Sequence, residues 1–328
     1  MRVAVVDIGT NSTRLLVADV GRDGALVELE RRAKVTRLGD RVEETGVLDE
    51  GAMERVLTTL AEYRALIEAH RAERTVAVLT SAVRDAANGA AFLARVRAHD
   101  GALDARVIGG DDEARLTFRG ATSGRPPDDA TPTLVIDVGG GSTELVVGSG
   151  DEVSFHVSTQ AGVVRHTERH LKTDPPTRPE LEALAADVRS IFEQAVPREA
   201  RKAARTAISV AGTATSLGAI DLDLECHPTN KVHGHVVSVA ACRRILERLA
   251  ALPESQRRAV RGLHPDRAPT IVAGVVMVIE ALRLFNLDAT AVSDHDILRG
   301  AALEVVHRGR PDGVAALRTP DRSLPTDR

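Results

Sequence analysis

An eleven-residue pattern occurs twice in this sequence at a constant offset of 130 residues, and any fold for the chain has to account for both copies. In the first, residues 2–6 form an apolar strand, residues 7–12 (Asp-Ile-Gly-Thr-Asn-Ser) a polar turn containing glycine, and residues 13–20 a return strand, which together read as a β-hairpin. In the second, residues 134–137 lead into Val138-Gly-Gly-Gly-Ser142 and then into residues 143–147. Asp7 matches Asp137, Gly9 matches Gly139, Ser12 matches Ser142, Thr13 matches Thr143, Leu15 matches Leu145 and Val17 matches Val147. Duplication of a whole domain accounts for these matches better than coincidence of two hairpins, and the period is too long for a solenoid.

Between the hairpins the pattern alternates between helix and strand. Residues 54–73 carry Val56, Leu57, Leu60, Leu66 and Ile67 at helical spacing, residues 75–79 read as a buried strand, and Asn88 is placed to cap a helix bearing Phe92, Leu93 and Val96. Residues 105–108 form another strand before a helix with an acidic start at Asp111, and residues 122–133, rich in Gly, Pro and Asp, read as a linker. In the second half, Thr177 and Glu180 make a capping box ahead of a helix with Leu181, Leu184, Val188, Ile191 and Phe192 on one face. Residues 207–210 read as a strand, residues 211–215 as a small-residue turn, and helices follow at about 238–251 and 270–285. The expected division is residues 1–125 as the first domain, completed by a helix at about 297–309, residues 131–296 as the second, and residues 310–328 as a frayed tail.

At 328 residues the chain is long enough for two domains, and 43% apolar with 27% charged residues is the profile of a soluble protein with a core. Five Phe, one Tyr and no Trp leave little material for stacking bases, and a net charge of −4 provides no global positive field, so nucleic-acid binding is disfavoured and any phosphate site must be local. Cys226 and Cys242 lack metal-ligand spacing and read as buried thiols of a reducing compartment. The first residues have none of the architecture of a secretion signal. The longest apolar run, 271–279, is far short of a membrane span, so a cytoplasmic protein without a membrane partner is expected.

A strand-terminal aspartate followed by glycines and hydroxyl residues suits phosphate handling, because small residues let backbone N–H groups approach phosphate oxygens while the carboxylate can hold a cation. Either copy alone could equally be a plain tight turn; two facing copies would make a cleft gripping one substrate from both sides. Asp111, Asp112 and Glu113 could simply be the acidic first turn of a helix. Arg84, just after a strand, could clamp phosphate or pair with Asp85. Lys231, His233 and His235 form a small basic cluster that could face a polyanion or sit in a solvated loop.

Five motifs together resemble the Ppx/GppA phosphatase family: Asp7-Ile-Gly-Thr-Asn-Ser12, Thr80-Ser-Ala-Val-Arg-Asp-Ala86, Gly110-Asp-Asp-Glu-Ala-Arg-Leu116, Asp137-Val-Gly-Gly-Gly-Ser-Thr-Glu144 and Val292-Ser-Asp-His-Asp-Ile-Leu-Arg-Gly300. Sugar kinases, acetate kinases and Hsp70-like ATPases share the hairpins but not the Glu-Ala-Arg-Leu helix start or the late Leu-Arg-Gly. The resemblance implies two duplicated actin-like (RNase H-like) α/β domains with the active site between them. It implies Glu113 as the residue activating water, Asp137 and Glu144 as acids around Mg²⁺ (or Mn²⁺), and Asp7, Gly9, Thr10, Asn11, Ser12, Arg84, Gly139, Gly140, Gly141 and Ser142 as phosphate-binding. The chain departs from the family at Asp111-Asp112, where Gly-Glu-Glu or Gly-Asn-Glu is usual, and at Pro269, where aspartate is usual; it resembles the short form without additional helical domains.

The implied activity is release of orthophosphate from inorganic polyphosphate, by a homodimer. The alternative substrate is guanosine pentaphosphate, disfavoured by the shortage of aromatics for guanine to stack on. An ATP-dependent small-molecule kinase and a non-catalytic alarmone sensor are the readings from other classes, since fold alone does not fix function.

Overall fold

The computed structural model describes residues 1–308 apart from Arg22, Ala102, Pro127, Asp151 and residues 226–230, so the expected tail at 310–328 and Cys226 lie outside the described residues. Aliphatic residues at nearly every position make β1 (Arg2–Ile8) a fully covered strand, and it pairs antiparallel with β2 (Ser12–Val20), with Asp7 opposite Arg14. β3 (Leu26–Val35) continues the meander. After α1 (Val42–Thr45), the crossover helix α2 (Glu50–Ala69) returns the chain to β4 (Arg74–Leu79), parallel to β1. α3 (Ser81–Asp85) and α4 (Gly89–His99) lead to β5 (Asp104–Val107), and α5 (Gly110–Thr122) follows. The sheet order is β3-β2-β1-β4-β5.

The second half repeats this plan. β6 (Thr133–Val138), β7 (Thr143–Ser149) and β8 (Glu152–Thr159) form the meander, with Asp137 opposite Glu144. α6 (Val163–His170), α7 (Arg178–Ala195) and α8 (Arg198–Ala203) precede β9 (Thr206–Val210), which runs parallel to β6. α9 (Ala211–Asp221), β10 (Val236–Ser238), α10 (Val239–Ala250), α11 (Glu254–Arg257), α12 (Ile271–Leu284), β11 (Ala289–Val292) and α13 (Ile297–Arg308) complete the described chain. Read from β8, the order β8-β7-β6-β9-β11 reproduces that of the first sheet, with β10 added at the edge. The duplication seen in eleven residues therefore extends to topology, and the fold is two actin-like α/β domains.

Helical stripes explain how the layers pack. α2 lays Val56, Leu57, Leu60 and Tyr63 on one face of the first sheet. α13 crosses back to the opposite face, burying Leu298, Ala301 and Ala302 against Val3, Val5, Leu16 and Ala18. α5 lies between the sheets: Leu116 joins the core around α13, while Ala114, Phe118 and Ala121 pack on Val135 and Val146. α12 is apolar along its length because all its residues but the last two are buried in the second core. Among the described residues no helix is long and apolar enough to cross a membrane.

Two local readings change. Asn88 precedes α4 but does not cap it; its side chain bonds both backbone groups of Leu48, accepting at 2.8 Å and donating at 3.0 Å, which ties the loop before α2 to α4. Residues 211–215 are not a turn but the first part of α9, entered through Ala211 in the left-handed region at φ 61°. β3 shows no apolar run because it is an edge strand with one face in solvent, where charged residues also block edge-to-edge pairing.

Candidate active site

The two hairpins meet tip to tip. A Cβ on Gly140 would lie 3.0 Å from Thr10 Cβ and 3.1 Å from Asn11 N, so only glycine lets the second tip approach the first this closely. Each tip is closed in the same way: the Gly9 N–H donates to the Ser12 carbonyl at 3.0 Å and the Gly139 N–H to the Ser142 carbonyl at 2.9 Å. Those two amides are therefore used by the turns themselves. The start of α6 braces the second tip, with Val163 and Val164 N–H groups donating to the Gly139 and Gly140 carbonyls at 2.9 Å each.

The tips bound a cleft of about 790 Å³ between the domains. Asp7, Gly9, Thr10, Asn11, Ser12, Glu113, Asp137, Gly139, Gly140, Ser142 and Glu144, all singled out in the sequence, line it. Two others do not. Gly141 faces a narrower pocket beside Ser81 and Arg165, and its carbonyl accepts from Arg165 Nε at 3.1 Å. Arg84 sits behind Glu113, donating through Nη1 to Glu113 Oε2 at 3.0 Å and to the Ile108 carbonyl at 3.3 Å. Arg84 Nε also lies 3.5 Å from Asp85 Oδ1, the local pairing weighed beside a phosphate clamp in the sequence.

The helical period separates Glu113 from its acidic neighbours. It shares the buried stripe of α5 with Leu116, Thr117 and Gly120, whereas Asp111 and Asp112 are exposed. That i, i+3, i+4, i+7 spacing was legible in the sequence and distinguishes a buried carboxylate from a capping one. Burial, with repulsion from Glu144 added, pushes the Glu113 carboxyl up to about 9 despite Arg84. Burial and Glu144 likewise push Asp137 up to about 8, and burial raises Glu144 although Ser158 Oγ donates to it at 2.7 Å.

Equivalent positions in the duplicate carry opposite charge. Where the second hairpin has Glu144 across from Asp137, the first has Arg14 across from Asp7. Arg14 donates through Nε and Nη2 to Asp7 Oδ2 at 2.8 and 2.5 Å, and also pairs with Asp296 from the late motif. Asp7 is thus ion-paired, while Asp137 and Glu144 form no ion pair among the described residues and are attracted only from farther off, by Arg14 and Arg84 respectively. Asp7 Oδ1 remains buried without a hydrogen-bond partner. Burial pushes the Asp7 carboxyl up, with Arg14 opposing that rise.

These oxygen donors fit a hard cation. Mg²⁺ takes oxygen donors, commonly one or two carboxylates with water and phosphate oxygens completing its shell. Asp137 and Glu144, with Asp7 Oδ1 nearby in the same cleft, are the residues suited to it.

Among the cleft-lining residues that sequence reading did not assign to the site are Arg14, Ser81 and Arg267. Arg14 could have been found from the 130-residue offset that aligns it with Glu144. Ser81 Oγ hydrogen-bonds Thr10 Oγ1 at 2.8 Å. Arg267 lies over Gly212, where a Cβ would come within 1.2 Å of its Nη1, and no carboxylate is within ion-pair distance of it among the described residues. Burial lowers its guanidinium to about 10, and Arg14 adds repulsion. Asp266 attracts it from outside ion-pair distance, and a half-buried guanidinium lining a cleft is suited to receive an anion. The Lys231, His233 and His235 cluster does not serve here: His233 pairs with Asp294 at 2.7 Å and His235 with Asp221 at 2.8 Å.

Known proteins match this arrangement. The profile of the Ppx/GppA phosphatase family matches residues 16–308. Exopolyphosphatase 2 of Mycobacterium tuberculosis is 39% identical over 315 residues, covering 93% of this chain and 98% of that protein. The crystal structure of an exopolyphosphatase-like protein superposes with a TM-score of 0.87 at 32% identity, over 94% of this chain and 99% of that one. An exopolyphosphatase from Cytophaga hutchinsonii superposes with a TM-score of 0.83 at 26% identity, over 93% and 98% of the two chains.

Proposed function

The chain belongs to the Ppx/GppA phosphatase family, and on that premise we propose that it is an exopolyphosphatase releasing terminal orthophosphate from inorganic polyphosphate by attack of water. The observation that carries the reading is the meeting of two glycine tips in one cleft, with the buried carboxylate of Glu113 entering from α5.

Phosphoryl transfer asks for in-line positioning and for neutralised oxygens more than for covalent chemistry. Asn11, Ser12, Gly140 and Ser142 offer donors from both domains, and Arg267 offers a cation. Glu113, held by Arg84, orients the attacking water and accepts its proton. A bound Mg²⁺, or Mn²⁺ in its place, would neutralise charge on the phosphate oxygens. Burial, the chief cause of the raised Glu113 pKa, opposes ionisation, and Arg84 favours the carboxylate form needed for proton abstraction. The leaving group is the shortened polyphosphate.

No aromatic side chain lines the cleft, which favours polyphosphate over guanosine pentaphosphate because nothing there stacks on a base. A cytoplasmic setting and a homodimer are parts of the same reading, the first resting on the reduced, buried Cys242 and the second on the family resemblance alone. Phosphate release from both substrates, measured in parallel with and without Mg²⁺, tests it. Glu113→Gln should bind polyphosphate while turnover falls by about 10²–10⁴-fold. Near-normal turnover in that variant excludes Glu113 as the base, and preferential hydrolysis of guanosine pentaphosphate overturns the substrate.

A further inference from the structure

Outside the cleft, α6 and α7 bring two histidines and an aspartate together. His166 and His170 stand one turn apart on α6, so they share a face, and Asp187 of α7 projects between them. His170 Nε2 lies 2.7 Å and His166 Nε2 3.6 Å from Asp187 Oδ2, and one ligand atom from each of the three falls within 4.8 Å of the others. A second Asp187 contact comes from Arg169 Nη1 at 3.3 Å.

His166 is what distinguishes this cluster from an ordinary surface pair. It is fully buried, and its Nδ1 lies 3.2 Å from the Gly162 carbonyl, which fixes that nitrogen as the N–H donor. The lone pair of Nε2 is thereby aimed toward a carboxylate, and that atom has no hydrogen-bond partner. The buried Nε2 thus faces a partly exposed carboxylate that His170 and Arg169 also contact, and a cation shared by the two imidazoles and the carboxylate would give it a partner. Protonation of the imidazole is opposed chiefly by burial, which lowers the His166 pKa. A backbone carbonyl behind a ligating histidine is also the usual outer support of a metal ligand.

We propose that His166 Nε2, His170 Nε2 and Asp187 form a site for a divalent transition metal of the Zn²⁺ type, separate from the oxygen-donor position in the cleft. Two imidazoles and one carboxylate are a donor set for Zn²⁺, Co²⁺ or Ni²⁺ and a poor one for Mg²⁺. Three protein ligands leave a fourth position for water. Arg169 does not need Asp187, because it also pairs with Glu43 of the first domain. The metal would staple α6 to α7, and α6 carries the backbone donors that brace Gly139 and Gly140. Occupancy of this site therefore stiffens one wall of the cleft without touching substrate.

The test uses the full chain, stripped of metal and free of phosphate, titrated with Zn²⁺ against a chromophoric chelator and separately with Co²⁺. Wild type should take up one Zn²⁺ at this site and give the intense visible absorption of four-coordinate Co²⁺. His170→Gln and Asp187→Asn, both at partly exposed positions that leave the core intact, should weaken Zn²⁺ binding on the order of 100-fold and lose that absorption. His233→Ala, in the other cluster with Asp294 and His295, should change neither. Zn²⁺ should raise the melting temperature of wild type but not of His170→Gln. Failure of wild type to bind Zn²⁺, binding undiminished in both variants, or loss of binding in His233→Ala instead, each overturns the proposal, and none of these readings depends on hydrolysis.

Discussion

The charges of the cleft are arranged against the stability of the metal-free protein. Glu113, pushed up to about 9, and Asp137, pushed up to about 8, hold protons in the folded state that the unfolded chain releases near the ordinary carboxylate range. The folded state therefore binds more protons than the unfolded one from about pH 5 to about pH 9, and its stability must fall as pH rises through that window. Glu113→Gln removes one of the titrating groups while its amide oxygen can still accept from Arg84. In chelator, the melting temperature of wild type should drop more steeply than that of Glu113→Gln between about pH 6 and about pH 9, with the variant a few degrees more stable at the upper end. All other titrating groups are common to the two proteins, so parallel curves would show that Glu113 ionises freely and is not under strain. The residue that impairs the empty protein is then the one given the chemistry. Legibility at this scale was uneven: motif residues announce themselves, but Arg14 and Arg267 act through what they face, and a partner across a hairpin or over a glycine is not written in local order.

At the scale of elements, Glu113 is only as well placed as α5, and α5 is seated by α13. The two helices approach closely because each has glycine at the crossing: a Cβ on Gly120 would stand 1.9 Å from the Asp296 carbonyl oxygen, and one on Gly300 would stand 1.8 Å from that of Leu116. This gives the late Leu-Arg-Gly motif a physical meaning, since its glycine lets the returning helix press against the one bearing Glu113, the proposed base. Gly300→Ala must push the helices apart, costing about 1–3 kcal/mol of stability as overpacking does, and should lower turnover more than it weakens polyphosphate binding, because the tips are untouched while Glu113 moves. Denaturant melts and a separation of kcat from KM check it; an unchanged melt would mean the crossing relaxes freely. Elements with a clear period, such as α2, α7 and α12, were readable, as were both hairpins. β3, β8 and α6 were not: the first two are partly solvent-facing strands rich in polar residues, and α6 is short, with its apolar content confined to its first residues. The start of α9 was misread because its small residues resemble a turn, whereas their smallness serves the close approach of Arg267 to Gly212.

For the whole molecule, the consequence of duplication is that neither domain contains a complete site. The first contributes its hairpin tip and, through α5, the carboxylate; the second contributes the other tip, Asp137, Glu144 and Arg267. A polyphosphate terminus engaged as proposed touches both, so its binding energy should stabilise both together. Beyond the apolar packing of α5 on the second sheet, the two sides of the gap are joined by partly exposed pairs such as Glu43 with Arg165 at 3.5 Å, and pairs of that kind contribute at most about 1 kcal/mol. Substrate is therefore a strong coupling agent by comparison: at one hundred times its dissociation constant a ligand of the folded state adds about 2.7 kcal/mol. Using Glu113→Gln to prevent hydrolysis, addition of polyphosphate with Mg²⁺ should raise the melting temperature by several degrees in one cooperative transition. The same additions to a Gly140→Val variant, whose new side chain collides with Thr10 and Asn11 and spreads the tips, should give a much smaller shift. Two transitions, of which polyphosphate moves only one, would place the substrate on a single domain and leave the facing hairpins without a common ligand.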